Sequence, residues 1–164
     1  MFLLLAATMC AGLFCGAALY VNLVEHPARM SCGQELAVRE FAPSYRRATI
    51  MQVSLALVGL VLGLVAAWQL RDAWVATGAV LLGASFPFTL AFILPTNKQL
   101  LDPTLDLQGV RVVELLARWN RLHAVRTVLS AVAFALLLRC FAGFPGTWSS
   151  SNRTATSKSS VSPG

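Results

Sequence analysis

Three long apolar runs constrain the fold of this chain more than any other feature of its sequence. They cover residues 2–23, 48–70 and 73–94, and none of them contains Lys, Arg, Asp or Glu. Each run has about the 20 residues that a helix needs to cross a bilayer. None shows the strict alternation of polar and apolar residues that marks the strands of a membrane barrel. The runs therefore predict transmembrane α-helices.

A fourth span is predicted near the C-terminus, although its uncharged part covers only residues 127–138. A full span must include Arg126 and Arg139, whose long side chains can reach the interface from positions near its ends. Trp148 suits the interfacial belt beyond it. The fold class predicted is an all-α bundle of four transmembrane helices, in a membrane domain of residues 1–145 with spans at about 2–24, 46–70, 73–94 and 122–144.

The segments around these spans have distinct characters. Short amphipathic helices are predicted in the 1–2 and 3–4 connections, at Gln34–Phe41 and Gly109–Leu122, because charged and apolar residues alternate there at helical spacing. Pro27 is expected to end or bend the first helix and Pro95 to stop the third, which leaves an irregular segment up to Gly109. The Ser- and Thr-rich tail, residues 146–164, has the composition of a disordered segment.

The first apolar run has an alternative interpretation as a cleaved signal peptide. No Lys or Arg precedes it, so the positively charged segment that opens a signal peptide is missing. The run is also longer than the hydrophobic part of a typical signal peptide. We therefore interpret it as a retained span.

Composition and charge also indicate a membrane protein. Only 12% of the residues are charged, whereas a soluble domain has about 25%. The formal net charge of +6 comes from basic residues that flank apolar runs, which is typical of a protein facing anionic lipid. No basic face with interleaved aromatic residues lies outside the apolar runs, so we expect membrane lipid and not nucleic acid as a partner.

The distribution of Lys and Arg predicts the orientation. Eight of these residues lie in the 1–2 and 3–4 connections, and four lie in the 2–3 connection and towards the C-terminus. The positive-inside rule then predicts a multi-pass protein with both long connections in the cytoplasm and both termini on the non-cytoplasmic side. Asn152 begins a glycosylation sequon that is usable only if the tail is lumenal.

Polar residues gather at the cytoplasmic end of every predicted span. Gly12 and Gly16 form a GxxxG pair that predicts close approach of another helix to the face carrying Asn22 and His26. Polar groups buried in a membrane need partners and often mark a substrate or proton path, so a functional cavity is predicted. The alternative is that these residues contact water and headgroups. The stripes on spans two to four contain Tyr45, Thr49 and Gln52; Ser85, Thr89, Thr96 and Asn97; and Asn120, His123, Thr127 and Ser130.

The two histidines of the chain, His26 and His123, both fall at this end. Histidine suits proton transfer or metal ligation near neutral pH. With Glu25 they match the residue types of a two-histidine, one-carboxylate iron site. Glu25 and His26 are adjacent, however, and adjacent side chains on a helix point about 100° apart. We therefore predict no metal site and expect Glu25 to pair with Arg29 or another arginine.

Four sequence elements resemble the anthrone oxygenase-like membrane proteins over roughly residues 8–142. They occur in the order VEHPAR (24–29), FAPSYRRA (41–48) with Gln52, LPTNKQL (94–100) and RWNRLHAVR (118–126). The resemblance implies four helices and, in some members, oxidation of an anthrone to an anthraquinone in polyketide pathways. It implies no particular cofactor. The motif positions that match are His26, Asn97, Trp119, Asn120, His123 and Arg126.

Two classes of function follow. The first is an oxygenase in which a lipid-soluble phenolic substrate loses a proton to His26 or His123 and reacts with dioxygen, while Arg126 and Asn97 stabilise the enolate oxygen. The second is a non-catalytic scaffold or small-molecule carrier whose polar ends form a packing or headgroup-binding network. The candidate substrate-binding residues for the first class are Asn22, Tyr45, Gln52, Trp119 and Asn120.

Overall fold

A computed structural model describes residues 1–142 and shows an entirely helical bundle, with no strand among those residues. The end of the predicted fourth span, Trp148, the tail and the Asn152 sequon lie outside the described residues. The elements are α1 (Phe2–Tyr20), a first π-helical turn (Val21–Glu25), α2 (His26–Ser31), α3 (Gln34–Leu70), α4 (Ala73–Phe88), a second π-helical turn (Thr89–Ile93), α5 (Leu94–Leu100) and α6 (Val110–Ala142).

Four continuous helical stretches are long and apolar enough to cross a membrane: Phe2–Ser31, Gln34–Leu70, Ala73–Leu100 and Val110–Phe141. This confirms the predicted all-α fold with four transmembrane helices. Neighbouring helices pack in a ring, with α1 on α3, α3 on α4, α4 on α6 and α6 back on α1. The ring leaves its centre between all four helices, so side chains from each of them can meet there.

The amphipathic segments predicted in the two long connections are the first turns of the second and fourth long helices. Gln34–Phe41 begins α3, which continues through Pro43, and the predicted Gly109–Leu122 helix continues into α6. These turns pack on each other through apolar faces that include Phe41 and Trp119. Because the apolar stripe of each segment continues into the following span, the helix runs from the segment into the span without interruption.

The prediction that Pro95 stops the third helix is wrong. The irregular segment predicted up to Gly109 begins only after Leu100 and covers residues 101–109. The helix passes through the second π-helical turn and continues as α5 to Leu100. Pro27 and Pro95 both lie in the first turn of a short α-helix that follows a π-helical turn. A proline is tolerated there because its missing N–H costs no regular hydrogen bond in a first turn.

Two buried apolar clusters lie at opposite ends of the bundle. The first contains Leu4, Phe14, Leu82 and Leu137 together with small residues of α1, α3 and α6. The second joins the early turns of α3 and α6 to α5 and the second π-helical turn. Its buried members are Ala37, Val38, Phe41, Ile93, Leu100, Val112, Leu115, Leu116 and Trp119. The polar residues of the bundle interior therefore lie between two apolar clusters.

Close helix packing depends on glycines other than the predicted pair. Gly16 faces outward with open space around it, so the expected close approach at both Gly12 and Gly16 holds only at Gly12, which lies against Phe134. The tightest approaches occur on α3. A Cβ atom built on Gly59 would lie 2.5 Å from Leu82 Cδ2, and one on Gly63 would lie 2.6 Å from Ala79 Cβ.

We predict that Gly63→Ala destabilises the bundle, whereas Gly16→Ala does not. The added methyl at Gly63 has no room beside Ala79, and such overpacking costs about 1–3 kcal/mol. At Gly16 the space is open, and alanine favours the helix by about 1 kcal/mol over glycine. Thermal unfolding in detergent, followed by circular dichroism, measures both. Equal midpoints for the two variants would contradict the close contact between α3 and α4.

Candidate functional site

Buried polar side chains mark the interior of the bundle at the end that carries the two long connections. Burying such groups costs free energy unless they are hydrogen-bonded, so a set of them in a membrane helix bundle is a candidate functional site. Every long helical stretch contributes to the set. The buried polar or charged residues of this end are His26, Arg29, Gln52, Ser85, Thr96, Asn97, His123, Thr127 and Ser130.

A cavity lies among these residues. The centre of a water molecule can reach about 60 Å³ of it, and its non-atom space is about 690 Å³ when the open mouth is included. The first value is the one to compare with other ligand cavities, and it lies well below the roughly 300–1,000 Å³ typical of small-molecule sites. A ligand with several rings therefore needs the lining side chains to move apart or must extend into the open mouth. The polar residues of its lining are Glu25, Arg29, Ser44, Tyr45, Thr49, Gln52, Ser85, Thr89, Asn97, Trp119, His123 and Arg126, and Phe14, Phe41, Phe86 and Ile93 are among the apolar ones.

His123 is 2% exposed and is held on both sides of its ring. Its Nδ1 lies 2.9 Å from Asn22 Oδ1, and its Nε2 pairs with the guanidinium of Arg126. Arg126 is three residues further along α6, so both side chains lie on one helix face. The Arg126 guanidinium also lies over the ring of Phe14, 5.6 Å from its centroid. The pair forms a positively charged wall of the cavity.

Aromatic rings connect the two histidines. The Trp119 ring lies between them, with centroid distances of 5.6 Å to His26 and 4.8 Å to His123. Phe41 meets the same indole edge-on at 5.5 Å and stacks on Tyr45. Three of these rings, those of Phe41, Tyr45 and Trp119, line the cavity and give it aromatic surface beside the charged wall, with the indole almost perpendicular to the other two rings.

Several buried polar atoms have no hydrogen-bond partner among residues 1–142. They are Asn97 Nδ2 and Oδ1, Ser85 Oγ, Thr96 Oγ1, His26 Nδ1 and Arg126 Nε. Native structures satisfy most buried polar groups, so each exception needs an explanation. Asn97, Ser85 and Arg126 line the cavity, which means that a bound molecule can satisfy them. The amide of Asn97 offers both a donor and an acceptor to such a molecule.

An ion-pair cluster around the buried Arg29 forms another part of the wall. The Arg29 side chain is 5% exposed and pairs with Glu25, four residues earlier, and with Glu40 of α3 at 2.5 Å. Ser44 donates to Glu25 Oε1 at 2.9 Å. The pairing of Glu25 with Arg29 agrees with the expectation from their spacing. Sequence reasoning did not include Arg29, Glu40 or Ser44 in the site, since only the fold brings α2 against the first turns of α3.

The nine residues predicted for the site occupy three places. Six of them line the cavity: Tyr45, Gln52, Asn97, Trp119, His123 and Arg126. Asn22 and Asn120 lie outside the lining and bond to each other beside His123. His26 packs on the indole of Trp119 and is not in the lining. Within residues 1–142, no three His, Cys, Asp or Glu side chains come together in a way that could hold a metal ion.

Fold and site define a four-helix, multi-pass membrane protein with a polar cavity at one end of the bundle. The chain belongs to the anthrone oxygenase family, whose sequence profile matches residues 41–136, more than half of its length. The resemblance seen in the sequence motifs is thereby confirmed at the level of the family. No curated protein and no solved structure matches the chain.

We predict that Arg29→Met destabilises the protein more than Arg39→Met. Removing the buried Arg29 leaves the carboxylates of Glu25 and Glu40, which are 25% and 45% exposed, without their cation, and losing hydrogen bonds to charged groups costs about 1.5–3 kcal/mol. Arg39 pairs with Glu35 at the surface, where an ion pair contributes about 0–1 kcal/mol. Unfolding midpoints in nanodiscs compare the two. Similar losses in both variants would contradict a stabilising role of the buried Arg29 guanidinium.

Proposed function

We propose that this protein oxidises a lipid-soluble anthrone to an anthraquinone with dioxygen, inside the cavity at the polar end of the bundle. One observation carries the proposal. In a member of the anthrone oxygenase family, the buried His123 and the partly buried Arg126 pair at a cavity that also contains the unpartnered amide of Asn97. A base, a cation and an amide around an apolar cavity are the groups needed to form and stabilise an enolate.

The cavity walls suit a flat aromatic substrate that partitions into the bilayer. Phe14, Phe41 and Trp119 supply aromatic surface, and offset or edge-on stacking on such rings favours a planar polycyclic molecule. An anthrone has three fused rings and one carbonyl oxygen. Since only about 60 Å³ of the cavity is open to a water molecule, the proposal includes movement of the lining side chains to admit these rings, with the oxygen placed at the charged wall.

His123 is the proposed base. The guanidinium of Arg126 has only donors, so the Nε2 atom that it contacts carries the lone pair that can take a proton. When the substrate's carbonyl oxygen approaches Arg126, the guanidinium can donate to that oxygen and release Nε2. Binding of the substrate then frees the base that removes a proton from the anthrone methylene carbon. His26 is the alternative base, although it lies outside the cavity lining.

Arg126 and Asn97 are proposed to stabilise the negative charge that develops on the carbonyl oxygen. Both line the cavity, and each has at least one buried donor without a partner among the described residues. Donors held in place before the reaction need no reorganisation when the charge develops. In an apolar surrounding such electrostatic interactions are stronger than they are in water.

The reaction balances without an external reductant. The deprotonated anthrone carbon transfers electrons to dioxygen, a carbon–oxygen bond forms, and the peroxide takes back the proton held by His123 to give a hydroperoxide. Loss of the remaining hydrogen on that carbon, with cleavage of the oxygen–oxygen bond, leaves a ketone and releases water. One oxygen atom enters the quinone, the other leaves as water, and the methylene carbon is oxidised.

The proposal includes the orientation that the charge distribution favours. With eight Lys and Arg residues in the two long connections, the cavity end faces the cytoplasm and both termini lie on the other side. The substrate then reaches the cavity from the cytoplasmic leaflet, where enzymes that make aromatic precursors can release it into lipid. Membrane lipid and a lipid-soluble aromatic molecule are the partners proposed.

We predict that His123→Ala lowers the rate of anthrone oxidation by about 10²–10⁴-fold, the contribution of a positioned base. The measurement uses purified protein in nanodiscs with anthrone itself, recording oxygen uptake and quinone absorbance above the rate with empty nanodiscs. The matched variant is His26→Ala, which should retain most of the activity. Equal oxygen uptake by wild type, both variants and empty nanodiscs would refute the proposed function.

A second prediction concerns the oxyanion. Arg126→Gln should lower kcat by about 10²–10³-fold, the loss seen when one oxyanion donor is removed, whereas Arg126→Lys keeps a positive charge and should retain more activity. Lys98→Gln is the matched control, because Lys98 is an exposed cation one residue from Asn97. The same oxygen-uptake assay applies. A normal rate in Arg126→Gln would show that this cation does not contact the reacting oxygen.

A further inference from the structure

The side chain of Asn22 connects the first π-helical turn to α6 through hydrogen bonds at both of its polar atoms. Its Nδ2 donates to Asn120 Oδ1 at 2.8 Å and to the Asn120 backbone carbonyl at 3.3 Å. Its Oδ1 lies 2.5 Å from Thr127 Oγ1, which donates to it, and 2.9 Å from His123 Nδ1. Asn22 thus meets three residues of one helix and lies outside the cavity lining.

The direction of every hydrogen bond in this network follows from its two ends. At one end, the backbone carbonyl of Asn120 can only accept, so Asn22 must turn its amide NH₂ towards Asn120 and its oxygen towards His123. At the other end, Arg126 can only donate, so His123 Nε2 must accept. The contact with Asn22 and the contact with Arg126 each require that the neutral His123 ring carry its proton on Nδ1.

We infer that Asn22 is a positioning residue that holds His123 in the tautomer with hydrogen on Nδ1 and the lone pair on Nε2. The tautomer of a histidine is set by the hydrogen bond that its other ring nitrogen makes. Here that bond is made to the Asn22 oxygen, and it also fixes the rotation of the ring. The consequence for catalysis rests on the proposed function, but the tautomer itself is a property of the structure.

The opposite tautomer is incompatible with the site. In that form Nε2 carries a hydrogen that points at the guanidinium of Arg126, so two donors face each other. Nδ1 then carries a lone pair that points at the Asn22 oxygen, so two acceptors face each other. A ring in that form has no lone pair at the atom beside the cavity wall. Asn22 and Arg126 therefore both favour the form of His123 that can act as a base, and Asn22 alone maintains it when Arg126 turns to the substrate.

Asn22 also lies outside the part of the chain that the family profile covers. The profile matches residues 41–136, which contain His123, Arg126, Asn120 and Thr127. The oxygen that orients His123 comes from the first long helix, N-terminal to that region. The first long helix therefore packs against the matched region and also supplies a residue that orients His123.

Nitrogen-15 NMR of the whole protein in nanodiscs, labelled at histidine, tests the inference directly. The chain has only two histidines, so His26→Gln assigns both spectra. Protonated and unprotonated ring nitrogens have well-separated shifts. In the wild type we expect His123 to show a protonated Nδ1 and an unprotonated Nε2. The reverse pattern would overturn the inference without the need for any variant.

Substitutions that remove one constraint at a time separate positioning from a general structural role. Arg126→Met removes the donor at Nε2, so Asn22 alone should still hold the Nδ1–H form. Adding Asn22→Leu removes the second constraint and should give a mixture of His123 tautomers. Thr127→Val added to Arg126→Met is the matched control, since it removes another hydrogen bond to the same Asn22 oxygen and leaves the bond to His123 in place. A folded Asn22→Leu/Arg126→Met protein that keeps only the Nδ1–H form would contradict the inference.

Kinetics with anthrone distinguish this inference from the proposed function. Asn22→Leu should lower kcat by roughly 10–100-fold, the scale found for partners that orient metal-ligating histidines, because Arg126 no longer holds the ring once it contacts the substrate. KM should be unchanged because Asn22 does not line the cavity. An inactive wild type with the expected tautomers rejects the proposed reaction and leaves the positioning of His123 in place. An active wild type, with the same tautomers in Arg126→Met and in Asn22→Leu/Arg126→Met, rejects the positioning role alone.

Discussion

The pairing of Arg126 with His123 is the interaction on which the polar end of this bundle depends. A guanidinium among membrane helices must find acceptors or aromatic surface, because lipid offers it neither. His123 supplies an acceptor and Phe14 an aromatic face, from two different helices. Asn22, which accepts from the other side of the ring, favours the same tautomer that Arg126 requires. Charge, tautomer and helix packing are thus coupled in one small region.

The four spans and the convergence of their polar ends could be predicted from the sequence, because both follow from local patterns. Charge-free runs of sufficient length specify membrane helices, and helical spacing shows which polar residues share a face. The path of the chain at Pro95 could not be predicted this way. The π-helical turn places Pro95 in the first turn of a new α-helical segment, where its missing N–H costs no regular hydrogen bond. Pro43 and Pro87 likewise lie within helices that they do not end.

The division of the candidate site into cavity lining and supporting residues was also beyond the sequence. Asn22 and Asn97 both lie near the end of an odd-numbered span and look equivalent as sequence features. In the structure, Asn97 lines the cavity with an unpartnered amide, whereas the amide of Asn22 is fully used in holding His123. An amide is left without a hydrogen-bond partner when no hydrogen-bonding group of α6 lies beside it. The sequence alone does not show this, because tertiary packing brings α6 to each amide.

The two halves of the described chain repeat one order of elements although their sequences show no convincing repeat. Each half has an apolar helix, a π-helical turn, a short helix with proline in its first turn, and then a long helix that returns across the bundle. In both halves a π-helical turn precedes the proline, and this wider turn lets the helical stretch continue past the proline. One such turn carries Asn22 to His123, and the other leads into Asn97 at the cavity wall. The two turns therefore place the amides of Asn22 and Asn97 at the same site from different halves of the chain. The Asn22 amide supports His123, and the Asn97 amide lines the cavity.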